Sequence, residues 1–507
     1  MERPRTGGDR TAPRVALGAS VASFAFVALV AATPGSPFTP ILPSEPGGPF
    51  RWLAELVGLD GVHGSALAAI GVVAVSSAAV AFVFVLRECR RGTISARAAI
   101  GLAIAYHVAL LFLPLLFSRD VYSYASYGRI AATYHANPYV GTPADFPNDV
   151  LASFVGSKWV DTPAVYGALW TQVSALATRA ADDVGTIVST FRVIAIAASL
   201  ATVFVVAGLV HKVRPEREAF AVALVGLNPV VLFQSAASGH NDLLVALAVA
   251  AALALVFSGR ELWATAALTL GTLIKVTAAV PLLVWWVAVA ARRPKGERVR
   301  TLAPHVVLAA VLALVAAAPF ANTDDPTLGA VELGSHEGWL APSRFFRRVF
   351  DAISGDVLGI VPRIAFALVA VAAVFVVARA VWRRRPEIGS ALVGASWGWG
   401  LLCLMLLGPV LLPWYVTWAL PLGWQLPRVP RTVLIGTGLA LTVSQWTSEP
   451  AAFGSAYDAN LLVGHYVITP IVIALLGWLL LDLWRRTRSG APLEDEPDEV
   501  PAAAGER

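Results

Sequence analysis

The chain has 507 residues, of which 57% are hydrophobic and only 14% charged, and its formal net charge is +5. A soluble domain carries nearer a quarter of charged residues, so the composition argues against a soluble enzyme with a large core. The modest positive charge sits in short basic loops, which suits a membrane topology and not nucleic-acid binding. Cys89 and Cys403 lie far apart and offer neither a metal-binding spacing nor a disulfide.

Long apolar runs follow in order. The N-terminal tail, residues 1–14, carries Arg3, Arg5, Arg10 and Arg14 and is expected in the cytoplasm. Val15–Thr33 then crosses outward, with a signal peptide as the alternative. Ser65–Leu86 returns to Arg87, Arg90, Arg91 and Arg97, and Ala98–Phe117 crosses outward again. These runs are continuous, not alternating, which points to helices that span about 30 Å of hydrocarbon and away from a β-barrel. The next basic cluster, Lys212, Arg214 and Arg217, follows Ile187–Val210, so residues 118–185 read as one long outer segment. Within it, Pro163–Ala180 is expected to lie at the interface, not to span.

Phe220–Ser235 rises and Leu243–Phe257 descends to Arg260, which turns "GHND" (Gly239–Asp242) outward. Leu262–Ala290 has basic flanks at both ends and is expected to be a hairpin of two short helices bent near "IKVTAAVP". Thr301–Pro319 rises to a second outer loop, residues 320–356, and Val357–Trp382 descends to Arg383, Arg384 and Arg385. Ile388–Gly408 pairs with Leu412–Leu426, and Thr432–Thr447 with Gly464–Trp484. The tail, residues 485–507, is acidic at its end and expected to be cytoplasmic and disordered. The fold class is therefore an all-α polytopic membrane protein of about fourteen spans, with residues 15–484 as the transmembrane domain. No inverted repeat of the kind that marks many transporters is visible.

Candidate chemistry gathers in the outer segments. The stretch "SRDVYSYASYGR" (Ser118–Arg129) sets Arg119, Asp120, Tyr122 and Tyr124 where the chain leaves an apolar run, and Trp159, Tyr166 and Trp170 follow. Aromatic residues pack on sugar rings and arginines pair with phosphates. An interfacial aromatic belt explains the tyrosines but not the carboxylate. Asp120 stands equally as a partner of Arg119 or Arg129 and as a functional group. In the second loop, "SRFFRRVFD" reads as a short amphipathic helix whose Arg344, Arg347 and Arg348 either meet lipid headgroups or cradle a phosphate.

Arg192, Lys275, His240, Asn241 and Asp242 are polar groups at membrane depth or at helix ends. Such groups line a cavity, form buried pairs or, for Arg192, snorkel to the interface. Trp414 and Tyr415 either face the site or belong to a belt. "WGWG" (Trp397–Gly400) reads as helix packing and not as a phosphate loop. The sequence holds no Walker lysine motif, no dinucleotide-binding glycine pattern, no HExxH and no DxD. No cofactor is indicated. A divalent metal is left open, since Asp161, Asp324 and Asp325 are outer acidic residues, although a solvated acidic loop is the preferred account of them.

Taken together, "SRDVYSYASYGR", "NPY", the W-x-x-TP-x-x-YG-x-LW pattern of Trp159–Trp170, "LNP", "GHND", "LIKVTA" and "LLPWYVTWALPL" (Leu411–Leu422) resemble a known family. They are similar to the actinobacterial polyprenol-phosphomannose-dependent α-(1→6)-mannosyltransferases of lipomannan synthesis, over about residues 100–425. One departure is local: the family often shows "PYGPLW", and here the segment reads Val165-Tyr166-Gly167-Ala168-Leu169-Trp170.

The resemblance implies a GT-C-type glycosyltransferase of the plasma membrane, with an outward-facing site and both termini in the cytoplasm. It implies a polyprenyl-phosphate-mannose donor, a lipid-linked mannan acceptor and Asp120 as the acidic residue of the first outer loop, acting as general base. Arg344, Arg347 and Arg348, with Arg192, His240 or Lys275, would then stabilise the donor phosphate. Arg119, Tyr122, Tyr124, Trp159, Tyr166, Trp170, Asn241, Asp242, Trp414 and Tyr415 would shape the sugar sites. The residues themselves do not decide between mannose, arabinofuranose and glucose. A transporter or lipid flippase is the alternative from another class.

Overall fold

The computed structural model describes residues 11–43, 51–179, 181–322, 328–329, 336–355, 358–447 and 449–495, and among them the chain is helical with no β-strand. The first half comprises α1 (Thr11–Ala32), α2 (Arg51–Leu56), α3 (Gly64–Arg90), α4 (Ala96–Leu110), α5 (Asp120–Ala132), α6 (Ala168–Arg179), α7 (Val184–Val213), α8 (Glu218–Gly226) and α9 (Asp242–Phe257). It continues with α10 (Glu261–Ile274), α11 (Ala279–Ala291), α12 (Arg298–Ala317), α13 (Pro342–Ser354), α14 (Ile360–Arg384), α15 (Ala391–Leu407), α16 (Arg428–Ser444), α17 (Gly454–Val463) and α18 (Thr469–Ser489).

Seven described helical stretches are long and apolar enough to cross a membrane: Thr11–Ala32, Gly64–Arg90, Val184–Val213, Pro215–Ala236, Lys295–Phe320, Ile360–Arg384 and Gly454–Ser489. Shorter apolar helices of 10–17 residues accompany them. In hydrocarbon every backbone polar group must be satisfied within the protein, and continuous helix does this locally. Side chains cap several ends. Ser95 accepts from the Ala98 amide at the start of α4, and Asp183 from the Thr186 amide at the start of α7.

The centre of the molecule is residues 219–236, buried throughout, with α3, α4, α7 and α9 against it, whereas α12 and α14 show most of their surface. Helix packing explains "WGWG", because a Cβ on Gly398 would stand 2.9 Å from Leu426 and one on Gly400 2.7 Å from Val280. The hairpin expected in Leu262–Ala290 is α10 and α11, broken at Lys275 and by a 3₁₀ turn, Val276–Ala278.

Three expectations need correction. Leu412–Leu426 is not an α-helical span but two buried 3₁₀ turns, Pro413–Trp418 and Leu420–Leu422. Pro413 and Pro421 lack the amide that a continuing helix needs, and surrounding protein covers the irregular backbone. The run Ala98–Phe117 stays helical only to Leu110, and the chain then passes Pro114 and Phe117, whose φ is 56°, before α5 begins. Asp120 therefore opens a new helix instead of ending an old one.

The tail after Arg485 is also not disordered where it is described. It is helical to Ser489, caps at Gly490 and folds back, burying Leu493. The Trp399 indole donates to Leu493 O at 2.9 Å, and the Asp495 carboxylate accepts from Arg217 and, at 2.8 Å, from Arg431. Residues 496–507, most of the N-terminal tail (1–10), and Asp356 and Val357 lie outside the described residues.

Asp495 thus ties the ends of three helices together. Asp495→Ala removes the carboxylate shared by Arg217 and Arg431, which keep the carbonyls of Trp424 and Leu426, and should cost about 1–3 kcal/mol. The expected result is a lower melting temperature of the detergent-solubilised protein, with Asp495→Glu closer to wild type. An unchanged melting temperature for Asp495→Ala would show that the latch does not hold the fold.

Candidate active site

α5 is the first wall. Asp120 is its first residue, a position where the helix dipole favours a carboxylate. The Asp120 amide donates to Ser118 Oγ at 3.1 Å, and residues Val121 to Ile130 are buried on all sides. Tyr124 meets Tyr166 and Trp170 edge-on, with ring centroids 4.8 and 5.2 Å apart. Tyr122 stacks on Phe154 at 5.3 Å. Tyr139, outside the expected set, donates to Tyr166 O at 2.7 Å and shares a hydrogen bond with Thr171.

The segment holding Tyr166 is pressed onto the end of α10. Gly167 N donates to Ile274 O at 3.1 Å, and a Cβ on Gly167 would overlap the Leu273 carbonyl. Only glycine permits this approach, and it brings Tyr166 beside the helix break that carries Lys275.

The second wall is "GHND". A π-helical turn, Val230–Ala236, ends Pro215–Ala236, and the chain turns through Gly239 into α9, whose first residue is Asp242. His240 is fully buried, stacked on Trp414 at 3.8 Å, with Nδ1 3.3 Å from the Tyr124 hydroxyl and 3.6 Å from Asp120 Oδ2. Asp242 Oδ1 accepts from Lys275 Nζ at 2.8 Å and from the Trp418 indole at 2.6 Å. Lys275 Nζ also lies 4.5 Å from the centre of the Tyr415 ring and 5.4 Å from that of Trp418. Asn241 is fully buried, and neither its amide nitrogen nor its oxygen has a partner; the same holds for His240 Nε2 and Asp242 Oδ2.

Burial pushes the Asp120 carboxyl up to about 6; Lys275 draws it back and Asp242 adds to the rise. About 20% of the Asp120 side chain stays exposed, so the group is open to a ligand. In the turn, burial and the Lys275 charge hold His240 well below its ordinary value, so its imidazole is neutral. A neutral, stacked imidazole is suited to fixing Asp120 more than to meeting a phosphate.

The remaining sequence candidates divide. Trp414 and Tyr415 are buried beside His240 and Lys275 and do not form an interfacial belt. Asp120 is paired with neither candidate arginine: Arg119 binds Glu449 at 2.6 Å and the Ile41 carbonyl, and Arg129 binds Asp149 at 2.7 Å. Arg192 does not snorkel; it is buried and donates to Leu110 O at 2.5 Å.

The three loop arginines lie in the expected amphipathic helix, α13. Arg344 donates to Glu337 O at 3.4 Å, Arg347 binds Glu337 at 2.6 Å and Asp351 at 3.3 Å, and Arg348 reaches His465 at 2.6 Å. Trp159 stacks on His336 at 5.1 Å, which joins the segment between α5 and α6 to the one before α13. Trp418 is the residue that sequence reasoning missed; its signal was present, three positions after Tyr415 within the quoted "PWYVTW". Among the described residues no group of three His, Cys, Asp or Glu side chains could hold a metal ion. Asp161 is exposed, and Asp324 and Asp325 lie outside the described residues.

Residues 21–292 match a family described as alpha-(1->6)-mannopyranosyltransferase, N-terminal domain, and the chain belongs to this family. The chain is also similar to alpha-(1->6)-mannopyranosyltransferase A of Mycobacterium tuberculosis (strain ATCC 25618 / H37Rv), with 26% identity over 352 residues that cover 66% of each protein. No solved structure matches the chain.

The Gly167 contact is testable by itself. Gly167→Ala must push the Tyr166 segment away from Leu273, at about 1–3 kcal/mol for overpacking. The expected outcome is a lower melting temperature and faster limited proteolysis of the segment between α5 and α6. Ala168→Gly, one residue on, should leave the proteolysis pattern unchanged.

Proposed function

We propose that the chain transfers mannose from a polyprenyl-phosphate carrier to a hydroxyl of a lipid-linked mannan, forming an α-(1→6) linkage on the outer face of the plasma membrane. Membership of the mannopyranosyltransferase family supports the sugar and the linkage. The observation that carries the mechanism is Asp120: one partly accessible carboxylate at the start of α5, where "YGALW", "GHND", "LIKVTA" and "PWYVTW" converge.

In this reading the acceptor oxygen attacks C1 of the mannose and its proton passes to Asp120. The bond from C1 to the phosphate oxygen breaks, and the electron pair leaves with the polyprenyl phosphate. A β-linked donor gives an α product by this single displacement. A carboxylate raised to about 6 is a stronger base than an ordinary one and is still ionised at neutral pH.

The leaving phosphate needs positive charge more than a proton. Lys275 supplies it within the core, and Arg344, Arg347 and Arg348 would meet the phosphate from α13. Arg192, bound to Leu110 O, would act only by supporting the wall beside Tyr122. Tyr122, Tyr124, Trp159, Tyr166, Trp170, Trp414 and Tyr415, with Arg119 and Asn241 at the margins, would shape the donor and acceptor sites.

Sidedness draws support from charge. Arg217, Arg384 and Arg431 all meet the same short segment, residues 490–495, so these basic helix ends and the chain's C-terminal part share one end of the molecule. By the positive-inside bias that end is cytoplasmic.

The test uses membranes containing the protein, radiolabelled polyprenyl-phosphate mannose and a short α-(1→6)-mannoside acceptor. Wild type should lengthen the acceptor. Asp120→Asn should lower transfer by about 10²–10⁴-fold while the protein still folds. A variant that transfers at the wild-type rate removes Asp120 from the role of base. Because Asp120 must be ionised to accept a proton, wild-type transfer should fall as pH drops through about 6. A rate that stays flat to well below that pH contradicts the assignment.

A further inference from the structure

The buried pair of Asp242 and Lys275 poses a physical question. Both side chains are almost wholly buried, and replacing such a pair by well-packed apolar residues is often neutral or stabilising. The pair is therefore a poor device for stability alone. Its geometry is also lopsided. Asp242 Oδ1 takes both the Lys275 ammonium and the Trp418 indole, while Oδ2 has no partner. The rings of Tyr415 and Trp418 lie beside the ammonium, 4.5 and 5.4 Å from it.

An amine buried without a counter-ion gives up its proton. Without Asp242, the burial of Lys275 would favour the form that carries no charge to offer a phosphate. We propose that Asp242 is a positioning residue for transfer: fixed by Trp418, it keeps Lys275 charged inside the protein, and through Lys275 it stabilises the departing lipid phosphate. This rests on the proposed transfer from a lipid phosphate donor. It assigns Asp242 away from sugar contact and makes Asp242, Lys275 and Trp418 one unit. The other titratable groups facing this unit are Asp120 and Tyr124 from α5, Tyr166 from the segment before α6, His240 from the turn before α9, and Tyr415 from the 3₁₀ turn.

Arginine provides the decisive variant, because a guanidinium stays charged without a counter-ion. Transfer from radiolabelled polyprenyl-phosphate mannose is measured for wild type, Asp242→Asn, Asp242→Asn with Lys275→Arg, and Asp242→Asn with Lys275→Gln. Asp242→Asn should lose about 100-fold or more, as expected for removal of one charge-stabilising group. Adding Lys275→Arg should recover at least about tenfold of that loss. The neutral pair should fold with a melting temperature near wild type and remain as slow as Asp242→Asn.

A second readout does not depend on how the longer guanidinium fits. The ratio of the Asp242→Asn rate to the wild-type rate should rise as pH falls from about 8 toward about 6.5, because the unpaired amine regains its proton. Asp242 and Lys275 both act on Asp120, so the Asp120 titration is taken from the low-pH limb of each protein's own profile and divided out of the ratio. A flat ratio, a neutral pair at the wild-type rate, or Asp242→Asn at the wild-type rate overturns the proposal. Wild-type protein separates the two levels: if it transfers no mannose, the functional reading fails, and if it transfers while the pair proves dispensable, only this inference fails.

Discussion

A bilayer cannot solvate a peptide group, and the architecture follows from that constraint. Helix satisfies the backbone locally, so most of the chain is helix. Chemistry needs the opposite, namely backbone that turns and side chains that converge. At the site, three breaks in the helices lie against one another inside the protein. The turn through Gly239–Asn241, the break at Lys275 and the 3₁₀ turns of Pro413–Trp418 are these places. They meet one another through Lys275 and Asp242, Trp418 and Asp242, and His240 and Trp414. The start of α5 lies against the group and delivers Asp120 to it. Each break is thus covered by another.

Charge within this group is rationed by the same constraint. Asp242 and Lys275 cancel each other, and His240 is neutral. Asp120 remains as the uncompensated carboxylate of the group, and its raised value of about 6 reflects what burial costs an anion. The cost has a chemical counterpart, since the burial that disfavours the anion also makes it a better proton acceptor. At the opposite end no such tension exists. Arg217 and Arg431 share Asp495, and the carbonyls at Gly490 and Ala491 take Arg384.

Much of this was legible before any coordinates. Ser65–Leu86 and Ile187–Val210 are apolar for long enough that helix is the one economical structure. Asp120, "GHND" and Lys275 stood out because polar groups at such positions are costly. What the sequence could not convey was direction. Arg119 and Arg129 flank Asp120 in the chain, yet each turns to a distant carboxylate, Glu449 and Asp149. Leu412–Leu426 misled because hydropathy registers apolar content and is blind to missing amides at Pro413 and Pro421. Asp242 and Lys275 are 33 positions apart, and only the hairpin of α9 and α10 brings them together. The docking of residues 490–495 hid behind an acidic, low-complexity tail whose first part happens to match three arginines.

The unsatisfied atoms carry the last step. Buried polar groups without partners cost roughly 1–3 kcal/mol each, and folded proteins keep few of them. Here three consecutive residues, His240, Asn241 and Asp242, leave four such atoms without partners. Asn241 is the extreme case, with an amide that neither donates nor accepts. Packing does not demand this, because an apolar residue of similar size would fill the space at less cost. A ligand rich in hydroxyl groups would satisfy these atoms, each hydroxyl being both donor and acceptor. The cost of these atoms would then be the counterpart of selectivity: groups that a hydroxyl-rich ligand pairs would reject a molecule unable to pair with them.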